Sequence, residues 1–201
     1  MKNLKPITAA AIVVMLLAVA GAFIRLQVSR PSAPPPPLPE IDRAGLTNRD
    51  NRLYRIDTTN LFTGIMTESY PEGSVKSRSE VRGGQLNGRS EGFYPNGQRQ
   101  VEEFFKTGVS DGVRTRWETN GIRESAGQIV EGQFHGEYRQ WHTNGQIAKR
   151  IFFNEGKPHG VAKSWFPSGF LMSRVEMNHG ETKTSESWKD GEEKDPAASR
   201  D

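Results

Sequence analysis

Glycine recurs along this chain with a strict period of 24 residues, and this period constrains the fold more than any other feature. Fifteen of the 21 glycines fall into three columns, with no insertion across five units. The columns are Gly64, Gly88, Gly112, Gly136 and Gly160; Gly73, Gly97, Gly121, Gly145 and Gly169; and Gly84, Gly108, Gly132, Gly156 and Gly180. Such a period predicts an array in which one small unit stacks on copies of itself.

Each unit contains two glycine-bearing turns that separate two stretches long enough for short strands. The first turn has forms such as Pro95-Asn96-Gly97 and Thr119-Asn120-Gly121. Such sequences are typical of a type I turn closed by a left-handed glycine. The second turn has two glycines four apart, as in Gly132 and Gly136, and marks a tight return. Each unit is therefore predicted to be a β-hairpin, and Asn60, 24 residues before Gly84, would start the array half a unit early.

Side chains that recur at the same period predict the two faces of the sheet, because residues two apart in a strand share a face. The first strand carries Phe93, Trp117, Trp141 and Trp165. The second strand carries Val81, Phe105, Ile129, Phe153 and Met177 at the same parity. We expect one apolar, aromatic face and one largely charged face. The aromatic column of the first strand is predicted mainly to stack hairpin on hairpin. It is also the candidate binding face.

The sequence predicts an all-β fold, an elongated single-layer antiparallel β-meander of five 24-residue hairpin repeats preceded by an N-terminal transmembrane helix. We assign residues 51–191 to the repeat domain. Residues 40–62 contain two stretches, 53–56 and 61–62, that are apolar enough for a capping strand, and residues 186–191 resemble a further first strand and turn shortened by one residue. Residues 192–201 are predicted to be a disordered tail.

Residues 1–25 are predicted to be a transmembrane anchor or a signal segment. An uncharged run from Pro6 to Ile24 is flanked by lysines and by Arg25. At about 1.5 Å per residue it approaches the roughly 30 Å hydrocarbon core. Residues 18–20, Ala-Val-Ala, give the alternative of a cleaved signal peptide, but apolar residues continue past them and favour an anchor. In both cases we expect a periplasmic or extracellular repeat domain.

Residues 26–50 are assigned to a linker. The proline-rich stretch at residues 30–39 predicts an extended spacer of about 30 Å. A ligand for an SH3-type domain is the alternative use of such a stretch, but beside a predicted membrane anchor a spacer is favoured.

Composition and spacing argue against several classes of function. The chain has no cysteine, which excludes disulfides and thiolate ligands. The net charge is only +3, and basic and acidic residues alternate, so no nucleic-acid footprint is expected. His135 and His159 share a column, but consecutive units advance about 9.6 Å, too far to share a zinc ion at about 2.0–2.2 Å. With no nucleophile or phosphate-loop motif either, we expect no catalytic residue, metal site or cofactor, and no enzyme.

The unit Gly-x4-Trp-x3-Gly-x10-Gly-x3-Gly resembles the bacterial variant of the MORN repeat, most clearly at residues 112–121, 136–145 and 160–169. The resemblance covers residues 60–191. It implies a non-enzymatic β-hairpin array that binds proteins or lies against membranes, and many bacterial members carry an antitoxin label. Phe93 and the three tryptophans of its column stand where more usual units have Tyr-Gly pairs.

These features lead to a main functional hypothesis and two alternatives. The main hypothesis is a membrane-tethered, non-enzymatic scaffold that binds a protein partner. One alternative is a module that binds the cell wall or lipid through the aromatic column. The other is an antitoxin-like component of a toxin–antitoxin pair.

Overall fold

The computed structural model describes residues 36–56 and 58–192. The predicted anchor at residues 1–25, most of the proline-rich stretch and nearly all of the predicted tail lie outside these residues. Among the described residues, no helix has both the length and the hydropathy needed to cross a membrane.

The described residues are almost entirely β-structure. The strands, in chain order, are β1 (Glu40–Asp42), β2 (Leu46–Arg49), β3 (Arg52–Arg55), β4 (Gly64–Ser69), β5 (Val75–Arg82), β6 (Gln85–Phe93), β7 (Arg99–Lys106), β8 (Val109–Ser110), β9 (Gly112–Trp117), β10 (Arg123–Val130), β11 (Gln133–Trp141), β12 (Ile147–Asn154), β13 (Lys157–Pro158), β14 (Gly160–Trp165), β15 (Leu171–Asn178) and β16 (Glu181–Ser187). One 3-10 turn, Arg43–Gly45, joins β1 to β2.

The main sheet confirms the predicted antiparallel meander. From β4 to β16 the strands pair with their neighbours in chain order, and the two-residue strands β8 and β13 pair with β7 and β12. β1 is the exception, because it pairs in parallel with β4 at one edge. β2 and β3 form a separate hairpin. We number the repeat units by their strands: unit 1 is β4–β5, unit 2 is β6–β7, unit 3 is β9–β10, unit 4 is β11–β12 and unit 5 is β14–β15.

The first turn of each unit has the predicted geometry. In unit 1 the Gly73 amide donates to the Tyr70 carbonyl at 2.8 Å, and the Tyr70 amide donates to the Ser74 carbonyl at 2.8 Å. Gly73 itself has a φ of 93°, in the left-handed region. The glycines at this position in the later units, Gly97, Gly121, Gly145 and Gly169, have φ of 80°, 82°, 83° and 88°. The local sequence therefore specifies a type I turn closed by a left-handed glycine.

The second turn is a two-residue turn in which both central residues have positive φ, the arrangement of a type I′ turn. In unit 3 these residues are Glu131 with φ 49° and Gly132 with φ 82°. The glycine amide also donates to the carbonyl 22 residues earlier, as Gly132 does to Ser110 at 2.8 Å, and this bond ties successive units together. Asn60 is not among the residues with positive φ, so it does not start the array in the predicted way.

One extra residue interrupts the strand pairing shortly after the first turn of every unit. In unit 4, Trp141 lies opposite Ile147, but the next pair is Gln140 with Lys149, so Ala148 has no counterpart. The same irregularity occurs in the other four units. A β-bulge of this kind shifts the alternation of side chains by one residue. Residues on the two sides of the bulge that have the same parity therefore point to opposite faces.

The bulge makes the predicted single apolar face wrong. Phe153, of the second-strand column, lies opposite Gly136, and its ring centroid is 5.4 Å from that of Phe134 and 6.0 Å from that of Tyr138. Trp141 lies on β11 with Gly136 and Tyr138, and alternation along this strand directs its side chain to the opposite face of the sheet. We call the side of the sheet that carries Trp117, Trp141 and Trp165 the tryptophan face. The side that carries Phe134, Tyr138 and Phe153 is called the groove face.

The apolar core is divided between two small clusters at opposite ends of the array. The first lies on the groove face and joins Leu46 and Leu53 of the β2–β3 hairpin to Phe62 and Val81. We call this hairpin the cap. The second cluster lies on the tryptophan face and contains Trp141, Ile147, Trp165 and Leu171, with Trp188 packed against it.

Both ends of the array contain more structure than a bare repeat. Residues 40–49, within the segment assigned to a linker, form β1, the 3-10 turn and β2. The cap is attached through its backbone as well, since the Leu53 amide donates to the Gly84 carbonyl at 2.8 Å. β16 adds a further strand that begins earlier than the predicted range and overlaps it at residues 186 and 187, and the Trp188 amide donates to the Met172 carbonyl at 3.0 Å.

Candidate functional site

The aromatic column on the tryptophan face becomes more buried towards the C-terminal end of the array. Trp165 has no exposed surface and Trp141 is 9% exposed, whereas Trp117 and Phe93 are half-buried. Side chains from neighbouring strands account for the burial, because Trp165 packs between Ile147 and Leu171. The structure thus places the inner tryptophans in the core, in line with the stacking role, and leaves the outer members of the column more accessible.

Arginines occupy equivalent positions, one repeat apart, beside Trp117 and Trp141. The Arg99 guanidinium lies 5.3 Å from the Trp117 ring centroid, and that of Arg123 lies 4.4 Å from the Trp141 ring centroid. These cation–π contacts cover ring surface that a stacking ligand would need. The candidate binding residues Phe93, Trp117, Trp141 and Trp165 therefore share a face but do not form an open aromatic surface.

An ion-pair network occupies the same face on unit 2. Arg89 contacts Glu91 at 2.8 Å and Glu102 at 3.2 Å, and Arg99 contacts the same two carboxylates at 2.9 and 2.8 Å. The hydrogen bond from Arg89 to Glu102 raises the pKa of the Arg89 guanidinium. The next residue, Glu103, points to the opposite face and pairs with Arg114. These carboxylates are satisfied by arginines on both faces, which is the arrangement of structural ion pairs.

An apolar groove of about 540 Å³ lies over units 4 and 5, mostly on the groove face, with Lys163 and Trp165 at its margin. Ala162 is buried at its floor, and Ile151, Val175, Met172 and Met177 are among the side chains that line it. Polar groups are few: the hydroxyls of Ser164 and Ser173 are hydrogen-bonded to each other at 2.7 Å, and Gln140, His142 and Lys149 contribute to the lining. An apolar concavity with a few polar groups is typical of binding sites.

The loss of aromatic rings along the repeat explains why the groove opens at unit 5. Tyr138 of unit 4 and Ala162 of unit 5 are equivalent, 24 residues apart. The Tyr138 ring packs edge-on against Phe134, with centroids 5.2 Å apart, and fills the groove face of unit 4. One unit later, alanine stands in place of this ring and Pro158 in place of Phe134. The space that the chain fills with its own side chains in unit 4 is therefore open in unit 5.

The equivalent positions are covered in unit 1, at the other end of the array. Met66 and Val81 are equivalent to Ala162 and Met177, four periods earlier. There the leucines of the cap pack against Val81, with Met66 beside them. The groove-face positions of this repeat are thus covered by the cap in unit 1 and by the chain's own rings in unit 4, and they are open in unit 5.

The histidines do not assemble a metal site in the described structure. His159 and His179 lie near each other, with ring centroids 4.8 Å apart, at the second turn of unit 5. Within residues 36–56 and 58–192, no group of three or more histidine, aspartate or glutamate side chains is placed to hold an ion.

The first glycine column has a role in packing as well as in the backbone. Gly112 has a φ of 136°, and a Cβ atom there would lie 2.7 Å from the Cβ of Phe104. At Gly136 a Cβ atom would meet nothing within 4 Å, but φ is 77°. The column therefore allows close approach between strands in unit 3 and a left-handed backbone in unit 4.

The groove was missed by sequence reasoning, although one signal for it is visible in the repeat. The switch from Tyr138 to Ala162 in one column is a loss of volume at a fixed position. This loss of volume indicates a groove only if Ala162 and Met177 are known to share a face. The two residues differ in parity, so without knowledge of the bulge the sequence assigns them to opposite faces.

The comparison with protein-family models agrees with the repeat architecture. The family model described as a MORN repeat variant matches residues 86–107 and 134–155. No curated protein matches the chain significantly. A solved structure of an S. aureus TarM mutant in complex with Fondaparinux, alpha-GlcNAc-glycerol and UDP is similar over 47% of this chain and 19% of that chain, with 11% identity and a TM-score of 0.32. A similarity at this level establishes neither fold nor function.

The two matched segments are separated by twice the 24-residue period, and each begins on the strand that leads out of a type I′ turn. The resemblance that rested on the glycine columns is thereby confirmed, because the MORN repeat variant is matched at two places in the array, in units 2 and 4.

Proposed function

We propose that this protein is a non-enzymatic scaffold, tethered to the membrane, that binds a protein partner through the groove face of its repeat array. MORN repeats are in general modules that bind proteins or membrane lipids. The observation that carries the proposal is the apolar groove over units 4 and 5. In unit 1 the cap covers the equivalent surface, but over units 4 and 5 the groove is open, so a partner is the natural means of burying it.

The membrane tether rests on the sequence. The apolar run from Pro6 to Ile24 predicts an anchor, and the proline-rich stretch predicts a spacer between that anchor and the first strand. In this arrangement the array would hold its partner close to the membrane surface, outside the cytoplasm.

Binding of the cell wall or of lipid through the aromatic column ranks below this proposal. That alternative needs exposed ring faces, and the inner tryptophans, Trp141 and Trp165, have little or none. The antitoxin-like role depends on a cytoplasmic repeat domain, which the proposed anchor opposes.

The proposal can be tested by photo-cross-linking in cells that make the full-length protein. A photoreactive amino acid placed at Ser173, in the groove, should give a reproducible adduct with one identifiable protein. The same amino acid at Val113, which is 46% exposed on the tryptophan face, is the matched control and should give little of that adduct.

Protease accessibility of the repeat domain in intact cells and in spheroplasts would locate it relative to the membrane. If no protein adduct forms from any position on either face, the scaffold proposal is wrong. A repeat domain on the cytoplasmic side would contradict the predicted location and favour the antitoxin-like alternative.

A further inference from the structure

The equivalent positions in unit 4 indicate what kind of group fits the groove over units 4 and 5. Its floor, Ala162, lies between Ile151 on β12 and Val175 on β15, and it is the position at which unit 4 carries the Tyr138 ring. Because the units are related by a fixed step, unit 4 serves as an internal example of what this position holds when it is occupied.

We infer that the groove is a docking site for an aromatic side chain, phenylalanine or tyrosine, of the protein partner. This inference rests on the proposed function, since it identifies the group by which the partner is held. In unit 4 the equivalent space contains a tyrosine ring that packs against Phe134 and Phe153. In unit 1 it is covered by the leucines of the cap.

The lining of the groove suits a ring more than an aliphatic chain. Met172 and Met177 both line it, and Met177 replaces Phe153 of unit 4. Thioethers are flexible and make favourable contacts with the edges of aromatic rings. Aromatic residues inserted into pockets of this kind supply much of the binding energy of protein interfaces.

Polar groups at the groove would orient the inserted residue. The hydroxyls of Ser164 and Ser173, which are paired with each other, and the side chains of Gln140 and Lys149 are close enough to line the same groove. A tyrosine hydroxyl at the mouth would find hydrogen-bonding groups there, while its ring stayed on the apolar floor.

The test uses the full-length protein in lipid nanodiscs, with ¹³C-labelled methionine methyl groups observed by NMR. The probe is 4-methylphenol, the side-chain analogue of tyrosine, and 4-methylcyclohexanol is the non-aromatic control of similar size. We expect ring-current shifts at Met172 and Met177 but not at Met66, which packs against the cap cluster. Dissociation constants on the order of 1 mM are reasonable for a fragment, with the phenol at least about threefold tighter than its saturated analogue.

Two variants carry the same new side chain to different faces. Ala162→Tyr should fill the groove as Tyr138 does in unit 4, shift the Met177 methyl without any probe, and weaken the response to 4-methylphenol by roughly tenfold or more. Val113→Tyr places tyrosine on the exposed tryptophan face and should leave that response unchanged. The wild-type titration requires no variant, so misfolding of Ala162→Tyr would not prevent the test.

The outcomes separate this inference from the proposed function. An absence of shifts at both groove methionines, or equal binding of the phenol and the saturated alcohol, overturns the inference, even where photo-cross-linking still yields a partner. The inference also fails if Ala162→Tyr leaves the yield of the partner adduct unchanged. A complete absence of adducts contradicts the proposed function itself, and the inference falls with it.

Discussion

Replacing Trp165 by alanine tests how the array is held together at its C-terminal end. The side chain is fully buried among Trp141, Ile147 and Leu171. An aromatic residue of this size buries about 150–250 Å², which at about 25 cal/mol/Å² corresponds to roughly 4–6 kcal/mol. The indole nitrogen of Trp165 has no hydrogen-bond partner among the described residues, so its truncation also removes a buried unsatisfied donor. We therefore expect a loss of about 3–4 kcal/mol, near the lower end of the usual range for such truncations.

Trp117→Ala is the matched control, because it removes the same side chain from an equivalent position where it is only half-buried. Its ring contacts Arg99 on one side, and we expect a loss of about 1–2 kcal/mol, because less apolar area returns to water. Urea denaturation of the two full-length variants, followed by circular dichroism, would measure the difference.

The position of the damage is as informative as its size. Each unit contacts only its neighbours, so the loss at Trp165 should be concentrated in units 4 and 5. Hydrogen exchange measured by mass spectrometry should show reduced protection from β12 to β15 and little change in β4 to β7. Equal stability losses in the two variants, or a uniform loss of protection across the sheet, would refute the idea that burial along the tryptophan column sets local stability.

Three further predictions concern the turns and the repeat step. Gly121→Val should lower the free energy of unfolding by about 1–3 kcal/mol, because φ is 82° there and a β-branched residue is strained in that conformation. Gly121→Asn should lower it much less. Equal losses in thermal or urea unfolding would contradict the turn geometry. Deleting residues 112–135 keeps every junction in phase and should leave a folded, soluble protein, whereas deleting residues 112–123 should cause aggregation. Circular dichroism and solubility compare these deletions, and better tolerance of the shorter one would refute the repeat step. Tyr94→Phe removes the hydroxyl that donates to the Trp117 carbonyl at 2.9 Å. It should lower the free energy of unfolding, measured by urea denaturation, by about 0.5–1.5 kcal/mol. No measurable change would show that this hydrogen bond does not stabilise the contact between units 2 and 3.

Some features of the fold were predictable from the sequence because they depend on local chemistry. A glycine such as Gly121 stands where the backbone needs a positive φ, and the preceding Asn120 favours the turn. The same reasoning applies to every unit, since the turns repeat at a fixed step. The antiparallel meander follows, because two tight turns in each unit leave the strands no other way to pair.

The candidate site was less predictable, because it depends on which side chains share a face. The extra residue at Ala148, and at the equivalent position of each unit, puts the aromatic column of the first strand and the column of the second strand on opposite faces. No residue in the turn sequence indicates this bulge, because its position is set by how the two strands pair. Parity alone therefore placed Phe153 on the face of Trp141, whereas the structure places the two on opposite faces.

The sequence by itself determined the period, the turns and the order of the strands, because each of these depends on the backbone preferences of residues close together in the chain. Tertiary structure decided that the leucines of the cap cover unit 1 and that the space above Ala162 is open in unit 5. Both outcomes come from contacts between segments far apart in the chain, which depend on the volumes and directions of side chains across the assembled sheet. Local preferences do not specify such contacts.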